Sequence, residues 1–189
     1  MRLAVFISGG GTNLQALIEG ERDHLFRSKI VLVLSSNPNA YGIKRGRNAG
    51  IPTFISKNEE KILDLCNYYK VEGIVLAGYL QIVTNTLLIP YKNKIINIHP
   101  SLLPKYGGLG MYGMKVHEKV FENKERYSGA TVHMVTEEVD GGKMILQEAI
   151  DISNCKNPKE IQEKVLTVEH NIFPKGIKIW EASNETCID

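Results

Sequence analysis

The chain has 189 residues, of which 43% are hydrophobic and 23% are charged, and its formal net charge is +2. This length suffices for one domain with a core that needs no disulfide bond. So small a net charge, carried by dispersed lysines and arginines, argues against a nucleic-acid-binding protein. The cysteines Cys66, Cys155 and Cys187 are widely spaced and form no CxxC pair, which favours reduced thiols over a disulfide framework or a zinc site.

The apolar segments predict neither export nor membrane insertion. The N-terminal stretch MRLAVFISGGG has one basic residue and too short an apolar run for a signal peptide, and no segment is long enough to cross a bilayer. No internal repeat or linker composition interrupts the chain. We therefore expect a cytoplasmic protein that forms a single domain over residues 1–189.

Short runs rich in Val, Ile and Leu alternate with longer amphipathic stretches in the first hundred residues. Buried strands are predicted at residues 2–8, 29–36, 52–56, 73–78 and 94–99. Helices are predicted between them, at residues 12–20, 40–50 and 57–70. Such alternation is typical of a parallel sheet with helices on both faces.

The pattern changes after Pro104. A glycine-rich stretch leads to a predicted helix at 114–123, and then to two predicted strands, 129–139 and 143–151, joined by a hairpin turn at residues 140–142. A last helix is predicted from residues 157–158 towards residue 180. The resulting fold class is α/β: a three-layer αβα sandwich with a mostly parallel, Rossmann-like sheet and an antiparallel pair in the C-terminal half. In such sheets, ligands bind beyond the carboxyl ends of the strands.

A glycine-rich turn, Ser8 to Asn13, follows the first predicted strand and opens the first helix. Glycines allow close backbone approach, and a helix N-terminus offers free N–H groups to an anion. The alternative is a tight turn in which Thr12 only caps the helix. A dinucleotide is disfavoured because Leu14 replaces the third fingerprint glycine and no acid follows the second strand. No Gly-Lys-Ser/Thr of a P-loop is present, so a phosphate monoester fits best.

A second group of polar residues lies at the end of the fifth predicted strand. Asn97 and His99 are two residues apart, so their side chains project from the same face. Taken singly, His99 is most simply structural, and Asp140 is most simply a turn residue. His133, within GATVHMV, is either a residue that supports the site from behind or a core residue, and the core position is favoured. The remaining histidines show no metal-like spacing, so no metal site is predicted: His24, His117 and His170.

Several of these segments together resemble the phosphoribosylglycinamide formyltransferases of purine biosynthesis. The segments are SGGGTN, VLAGYLQIV, INIHPSLLP, SGATVHMVTEEVDGGKMILQ and VEHNIFP, so the resemblance covers nearly the whole chain. Within the wider formyl-folate transferase superfamily, methionyl-tRNA formyltransferases have a further C-terminal domain, and formyltetrahydrofolate deformylases have an additional N-terminal domain. The ribonucleotide enzymes are the better match.

The resemblance implies a reaction and its catalytic residues. A formyl group would pass from 10-formyltetrahydrofolate, consumed as a co-substrate, to the amine of glycinamide ribonucleotide, without a metal. Asn97, His99 and Asp140 match the catalytic positions of the family. On this hypothesis, Asn97 and a protonated His99 stabilise an oxyanion, while the carboxylate of Asp140 raises the pKa of His99.

The resemblance also implies binding residues. Gly11, Thr12 and Asn13 match the loop that binds the substrate phosphate, in agreement with the anion site predicted from the glycine turn. Glu169 matches a residue that contacts the ribonucleotide. The positions that match the folate pocket are Leu80, Gln81, Ile82, Val83, Asn97, Thr136, Glu137, Glu138, Val139 and Asp140.

Three stretches depart from the usual family pattern. Gln81 stands where many relatives have arginine, and the loop GGLGMYGMKVH differs from its commonest form. The stretch 55–63 is shorter than in longer relatives, which leaves Lys57 and Lys61 as candidates for a basic ligand-binding residue. The Leu103-Pro104 bond is undecided between cis and trans.

Two alternative functions stay open. A formyltetrahydrofolate hydrolase would transfer the same formyl group to water, and a non-catalytic module would bind a nucleotide or a folate on the same scaffold. The expected partners are the two small-molecule substrates, with no nucleic acid and no membrane. An apolar edge of the early sheet would also suit a homodimer.

Overall fold

The computed structural model describes residues 1–185, which form seven strands and six helices in an α/β arrangement. In chain order these are β1 (Arg2–Ile7), α1 (Thr12–Arg22), β2 (Lys29–Ser35), α2 (Gly42–Asn48), β3 (Thr53–Ile55), α3 (Glu59–Tyr68), β4 (Gly73–Leu76), α4 (Asn85–Leu88), β5 (Ile95–His99), α5 (Met114–Glu122), β6 (Tyr127–Met134), β7 (Met144–Asp151) and α6 (Pro158–Glu185). Each predicted strand is present, so the alternating pattern predicted these elements correctly.

The strands form one mixed sheet in the order β3-β2-β1-β4-β5-β6-β7. The first five of these are parallel to one another, whereas β6 runs antiparallel to β5 and β7 antiparallel to β6. This confirms the predicted mixed sheet. The strand order reverses between β1 and β4, so the loops that follow these two strands diverge and open a crevice, where ligands of such folds bind.

Hydrophobic side chains fill both faces of the sheet. Alternate residues of β1 point in opposite directions, with Leu3 in the core under α1, α5 and α6, and Ala4 in the core under α3 and α4. Phe173 and Trp180 of α6 are almost fully buried in the first of these cores. Burial on both faces explains why the strands read as continuous apolar runs.

The connection between β6 and β7 differs from the prediction. β6 ends at Met134, because its partner β5 begins at Ile95, and the last backbone bond between the two segments is from the Val135 N–H to the Ile95 carbonyl, at 2.9 Å. Residues 135–143 therefore form a long loop. The two strands do not continue to a tight hairpin turn at residues 140–142, as was predicted. The predicted strand residues 135–139 and 143 lie in this loop.

Smaller differences concern helices. α4 was not predicted, since four residues are too short to show a helical period. α6 continues past Trp180 and contains Pro174 without ending there. None of the helices within residues 1–185 has the length and apolarity needed to cross a membrane. Cys66 and Cys155 are free thiols, Cys187 lies outside the described residues, and the Leu103-Pro104 bond is cis.

Candidate active site

The glycine turn after β1 is held in a conformation that only glycine adopts easily. Gly11 has φ of +68°, and a Cβ atom there would lie 2.6 Å from the Cα of Gly42 on α2. Gly11 is the N-cap of α1, and no side chain caps this end, so the alternative of Thr12 as a helix cap is wrong. The first helical bond runs from the Gln15 N–H to the Gly11 carbonyl, which leaves the preceding N–H groups of α1 without helical partners.

Asn13 lies one residue into the helix and is turned inward. Its Nδ2 donates to Oε2 of Glu169 at 2.5 Å, so the turn after β1 is joined to α6. Burial raises the pKa of Glu169 to about 7, and the bond from Asn13 only partly offsets that rise. Oδ1 of Asn13 is buried and forms no hydrogen bond with any residue that the structure describes. The amide nitrogen of Asn13 is therefore engaged with Glu169, although the side chain lines the same cavity as the polar residues of β5.

The polar residues at the end of β5 meet the loop that precedes β7. His99 is 4% exposed, and its Nε2–H donates to the carbonyl of Tyr106 at 2.8 Å. Its Nδ1 lies 3.4 Å from Oδ2 of Asp140. The predicted proximity of the Asp140 carboxylate to the His99 imidazole is thus confirmed. Because a carbonyl only accepts hydrogen bonds, the tautomer of a neutral His99 has its lone pair on Nδ1, beside Asp140.

The Asp140 carboxylate has partners on two sides, and the backbone of this residue is in an unusual conformation. Its Oδ2 accepts a bond from the Gly108 N–H at 2.9 Å, and its Oδ1 lies 3.5 Å from Nε2 of His133. The residue has φ of +57°, in the left-handed region that few non-glycine residues occupy. Strained backbone of this kind clusters at functional sites, where the surrounding structure maintains it.

Burial and neighbouring groups shift the pKa values of both His99 and Asp140. Burial lowers the pKa of His99 below its ordinary value, although the Asp140 charge and the Tyr106 carbonyl act to raise it. Burial alone would raise the pKa of Asp140, but His133, His99 and the Gly108 N–H together bring it below its usual range. The Asp140 charge thus acts to raise the pKa of His99, as expected, but loss of hydration outweighs that attraction and the net shift is downward.

His133 is a further correction. It is buried, as predicted, but it belongs to the polar group rather than only to the core. β5 and β6 pair so that Asn97 lies opposite His133, and Nδ2 of Asn97 is 3.1 Å from Nε2 of His133. Nδ1 of His133 is bonded to the carbonyl of Met134 at 2.9 Å. A neutral ring with its proton on Nδ1 accepts from Asn97, which leaves the second N–H of the Asn97 amide for a ligand.

These groups line one cavity of about 610 Å³. It lies between the turn after β1, the loop after β4, the end of β5 and the loop before β7. Of the residues that match the catalytic, phosphate and folate positions of the family, all but Gly11 line it. The predicted residues in its wall are Thr12, Asn13, Leu80, Gln81, Ile82, Val83, Asn97, His99, Thr136, Glu137, Glu138, Val139, Asp140 and Glu169.

Other residues of the wall were not predicted. His117, on the buried face of α5, and Gln162 and Leu166, on α6, also line the cavity. Their positions depend on how these helices pack, and no local pattern marks them. Within residues 1–185 no lysine or arginine lines the cavity, so neither Lys57 nor Lys61 takes the place of a basic residue in its wall.

With this geometry established, comparison with known proteins decides the family. Residues 1–177 match the family model described as formyl transferase. The chain belongs to the formyl transferase family. The match spans both halves of the sheet and every segment that lines the cavity.

Relatives within the family are similar over most of this chain. Phosphoribosylglycinamide formyltransferase of Escherichia coli is 35% identical, over 96% of this chain and 87% of the relative. The chloroplastic enzyme of the same name from Arabidopsis thaliana is 37% identical over 91% of this chain. The chain spans only 62% of that plant protein and 60% of the one from Vigna unguiculata. The crystal structure of glycinamide ribonucleotide transformylase 1 from Symbiobacterium toebii superimposes with a TM-score of 0.90 at 33% identity, covering 96% of this chain and 88% of that one.

Proposed function

We propose that the protein transfers the formyl group of 10-formyltetrahydrofolate to the amine of glycinamide ribonucleotide, a step of purine biosynthesis. The observation that carries the proposal is the convergence of Asn97, His99 and Asp140 on one cavity that also reaches the glycine turn after β1. The names of the similar proteins support the same substrate and reaction.

The two ends of the cavity suit the two substrates. The N–H groups at Gly11, Thr12 and Asn13 would bind the phosphate of the ribonucleotide, since a helix N-terminus favours an anion. Glu169 would contact the same substrate from α6. Residues 80–83 and 136–140 would enclose the pterin of the folate, with Leu80, Ile82 and Val139 supplying exposed apolar surface.

The chemistry follows from the positions of the polar groups. The substrate amine attacks the formyl carbon, so a C–N bond forms and the formyl oxygen becomes an oxyanion, to which the free N–H of Asn97 donates. The lone pair of His99 Nδ1 accepts the proton that the amine loses, and the Asp140 carboxylate stabilises the imidazolium that results. The bond from carbon to folate N10 then breaks, and N10 receives this proton as it leaves.

A formyltetrahydrofolate hydrolase is the alternative. It would need the same polar trio but would gain nothing from the glycine turn, which lies at one end of the cavity and is joined to α6 through Asn13 and Glu169. This connection favours a second, phosphorylated substrate over water. We also propose a cytoplasmic location and, at the partly exposed edge strand β3, a homodimer contact through Phe54 and Ile55.

Product analysis separates the alternatives. We expect incubation with 10-formyltetrahydrofolate and glycinamide ribonucleotide to yield formylated ribonucleotide and tetrahydrofolate in equal amounts, and we expect little tetrahydrofolate when the ribonucleotide is omitted. Formate release at the same rate without the ribonucleotide would instead identify a hydrolase. Binding of both compounds without any turnover would identify a non-catalytic module.

A further inference from the structure

Two consecutive carbonyl groups of the glycine turn after β1 accept hydrogen bonds from α2. The Gly9 carbonyl accepts from the N–H of Gly42 at 3.1 Å. The Gly10 carbonyl accepts from Nε of Arg45 at 2.9 Å. Both bonds come from α2, so both carbonyls point towards that helix.

The direction of the carbonyls fixes the direction of the N–H groups. In a trans peptide, the C=O and the N–H that follows it point in opposite directions. Both peptides of the turn are trans, since the cis bond found in residues 1–185 is at Leu103-Pro104. The N–H groups of Gly10 and Gly11 therefore point away from α2, and neither donates to any described group. Two successive N–H groups on one side of a turn form an anion-binding nest.

Arg45 is itself held in place. Its Nη1 donates to Oε1 of Gln15 at 3.3 Å, and its Cζ lies 5.1 Å from the centre of the Tyr41 ring, within range for a cation–π contact. It lines a separate surface cavity of about 390 Å³, which shares Thr12 with the large one. No described lysine or arginine lines the large cavity. Arg45 lies outside that cavity, but its positive charge is next to the glycine turn.

We infer that Arg45 is the positioning residue of a phosphate site: by holding the Gly10 carbonyl it aims the Gly10 and Gly11 N–H groups at the phosphate of the substrate. The inference rests on the proposed function for the identity of that substrate. It predicts an effect on phosphate binding alone, because Arg45 touches neither the folate-facing segments nor Asn97, His99 and Asp140. Phosphate contacts are made equally in the ground state and the transition state, so they change KM rather than kcat.

Three variants test the inference. Arg45→Met removes both the positive charge and the planar guanidinium group that donates these hydrogen bonds. Arg45→Lys keeps the charge but lacks the planar guanidinium group, which donates one hydrogen bond to Gly10 and another to Gln15. Arg47→Met is the matched control: Arg47 is an exposed residue on the same helix, its side chain forms no hydrogen bond or ion pair with the described residues, and its replacement changes the net charge equally.

The measurements are steady-state kinetics with both substrates, and calorimetric titration with ribose 5-phosphate, which probes the turn without the formyl acceptor. We expect Arg45→Met to raise the ribonucleotide KM and the ribose 5-phosphate Kd about tenfold, with kcat and the folate KM changed less than about twofold. Arg45→Lys should remain at least about threefold weaker than wild type. Arg47→Met should match wild type.

Several results would overturn the inference. These are unchanged affinity in Arg45→Met, an equal loss in Arg47→Met, full affinity in Arg45→Lys, or a proportional rise in the folate KM, which would indicate general damage. Failure of wild-type protein to bind ribose 5-phosphate would also overturn it. If ribose 5-phosphate binding depends on Arg45 but the ribonucleotide is not formylated, the positioning role stands and the proposed function fails.

Discussion

At the scale of single residues, the surroundings of His99 assign different tasks to its two nitrogens. Nε2 donates to the Tyr106 carbonyl, and Nδ1 faces Asp140 at 3.4 Å. The motif that contains Asn97 and His99 predicted which groups would meet. It did not predict that the pKa of the imidazole is lowered, because the pKa depends on burial by segments that only the folded chain brings together.

The charge of His99 gives a direct prediction. An NMR titration of the His99 ring should show a pKa below 6.5, since burial outweighs the attraction of Asp140. In Asp140→Asn the pKa should fall further, because the negative charge that favours imidazolium is removed. A wild-type value above 6.5, or a rise in the variant, would contradict the assignment.

Glu169 gives a prediction about stability and pH. Its pKa is about 7 in the folded protein against an ordinary value of 4.5, so the folded state binds the proton more tightly. The stabilisation that follows is fully present below pH 4.5 and is lost as the pH rises through about 7. Glutamine does not ionise, so Glu169→Gln does not lose this stabilisation as the pH rises. Its stability relative to wild type should therefore increase by about 3 kcal/mol between pH 4.5 and pH 8.

Denaturant unfolding of both proteins at pH 4.5 and pH 8 measures this difference. Glu163→Gln, a change at an exposed position of the same helix, should show no comparable trend. A constant difference between Glu169→Gln and wild type at the two pH values would show that Glu169 ionises normally.

At the scale of elements, apolar runs predicted the strands well, because most residues of β1, β2, β4, β5 and β6 are buried. The error fell at residues 135–143, which lie beyond the start of β5 and therefore form a loop instead of extending β6. Pairing register decides such an end, and a single sequence does not display it. The same limit explains His133: its place beside Asn97 results from the antiparallel register of β5 and β6.

Packing of α6 on the sheet leads to a prediction about Gly73. A Cβ atom at this position of β4 would lie 2.5 Å from Cη2 of Trp180 and 3.2 Å from Cδ2 of Leu3. Gly73→Ala should lower the free energy of unfolding by about 1–3 kcal/mol, as overpacking does in rigid cores. In a Trp180→Phe background, which removes the clashing atom, the same change should cost much less. Equal costs in both backgrounds would exclude this contact as the cause.

At the scale of the whole molecule, the site is assembled from segments far apart in the chain. Asn13 follows β1, Asn97 and His99 end β5, Asp140 precedes β7, and Glu169 lies on α6. The αβα fold and a ligand site beyond the carboxyl ends of the strands were predictable from the alternation of strands and helices. The residues that α5 and α6 add to the wall, such as His117 and Leu166, were not, because helix packing brings them there.

The measurement that tests the central claim most directly is the rate of formyl transfer by Asp140→Asn, with Asp64→Asn, an exposed change on α3, as the control. Asparagine tolerates the left-handed backbone of position 140, so the fold should be kept and circular dichroism should be unchanged. We predict that kcat falls about 10²–10³-fold in Asp140→Asn and is unaffected in Asp64→Asn. Turnover in Asp140→Asn within a few-fold of wild type would contradict the proposed mechanism.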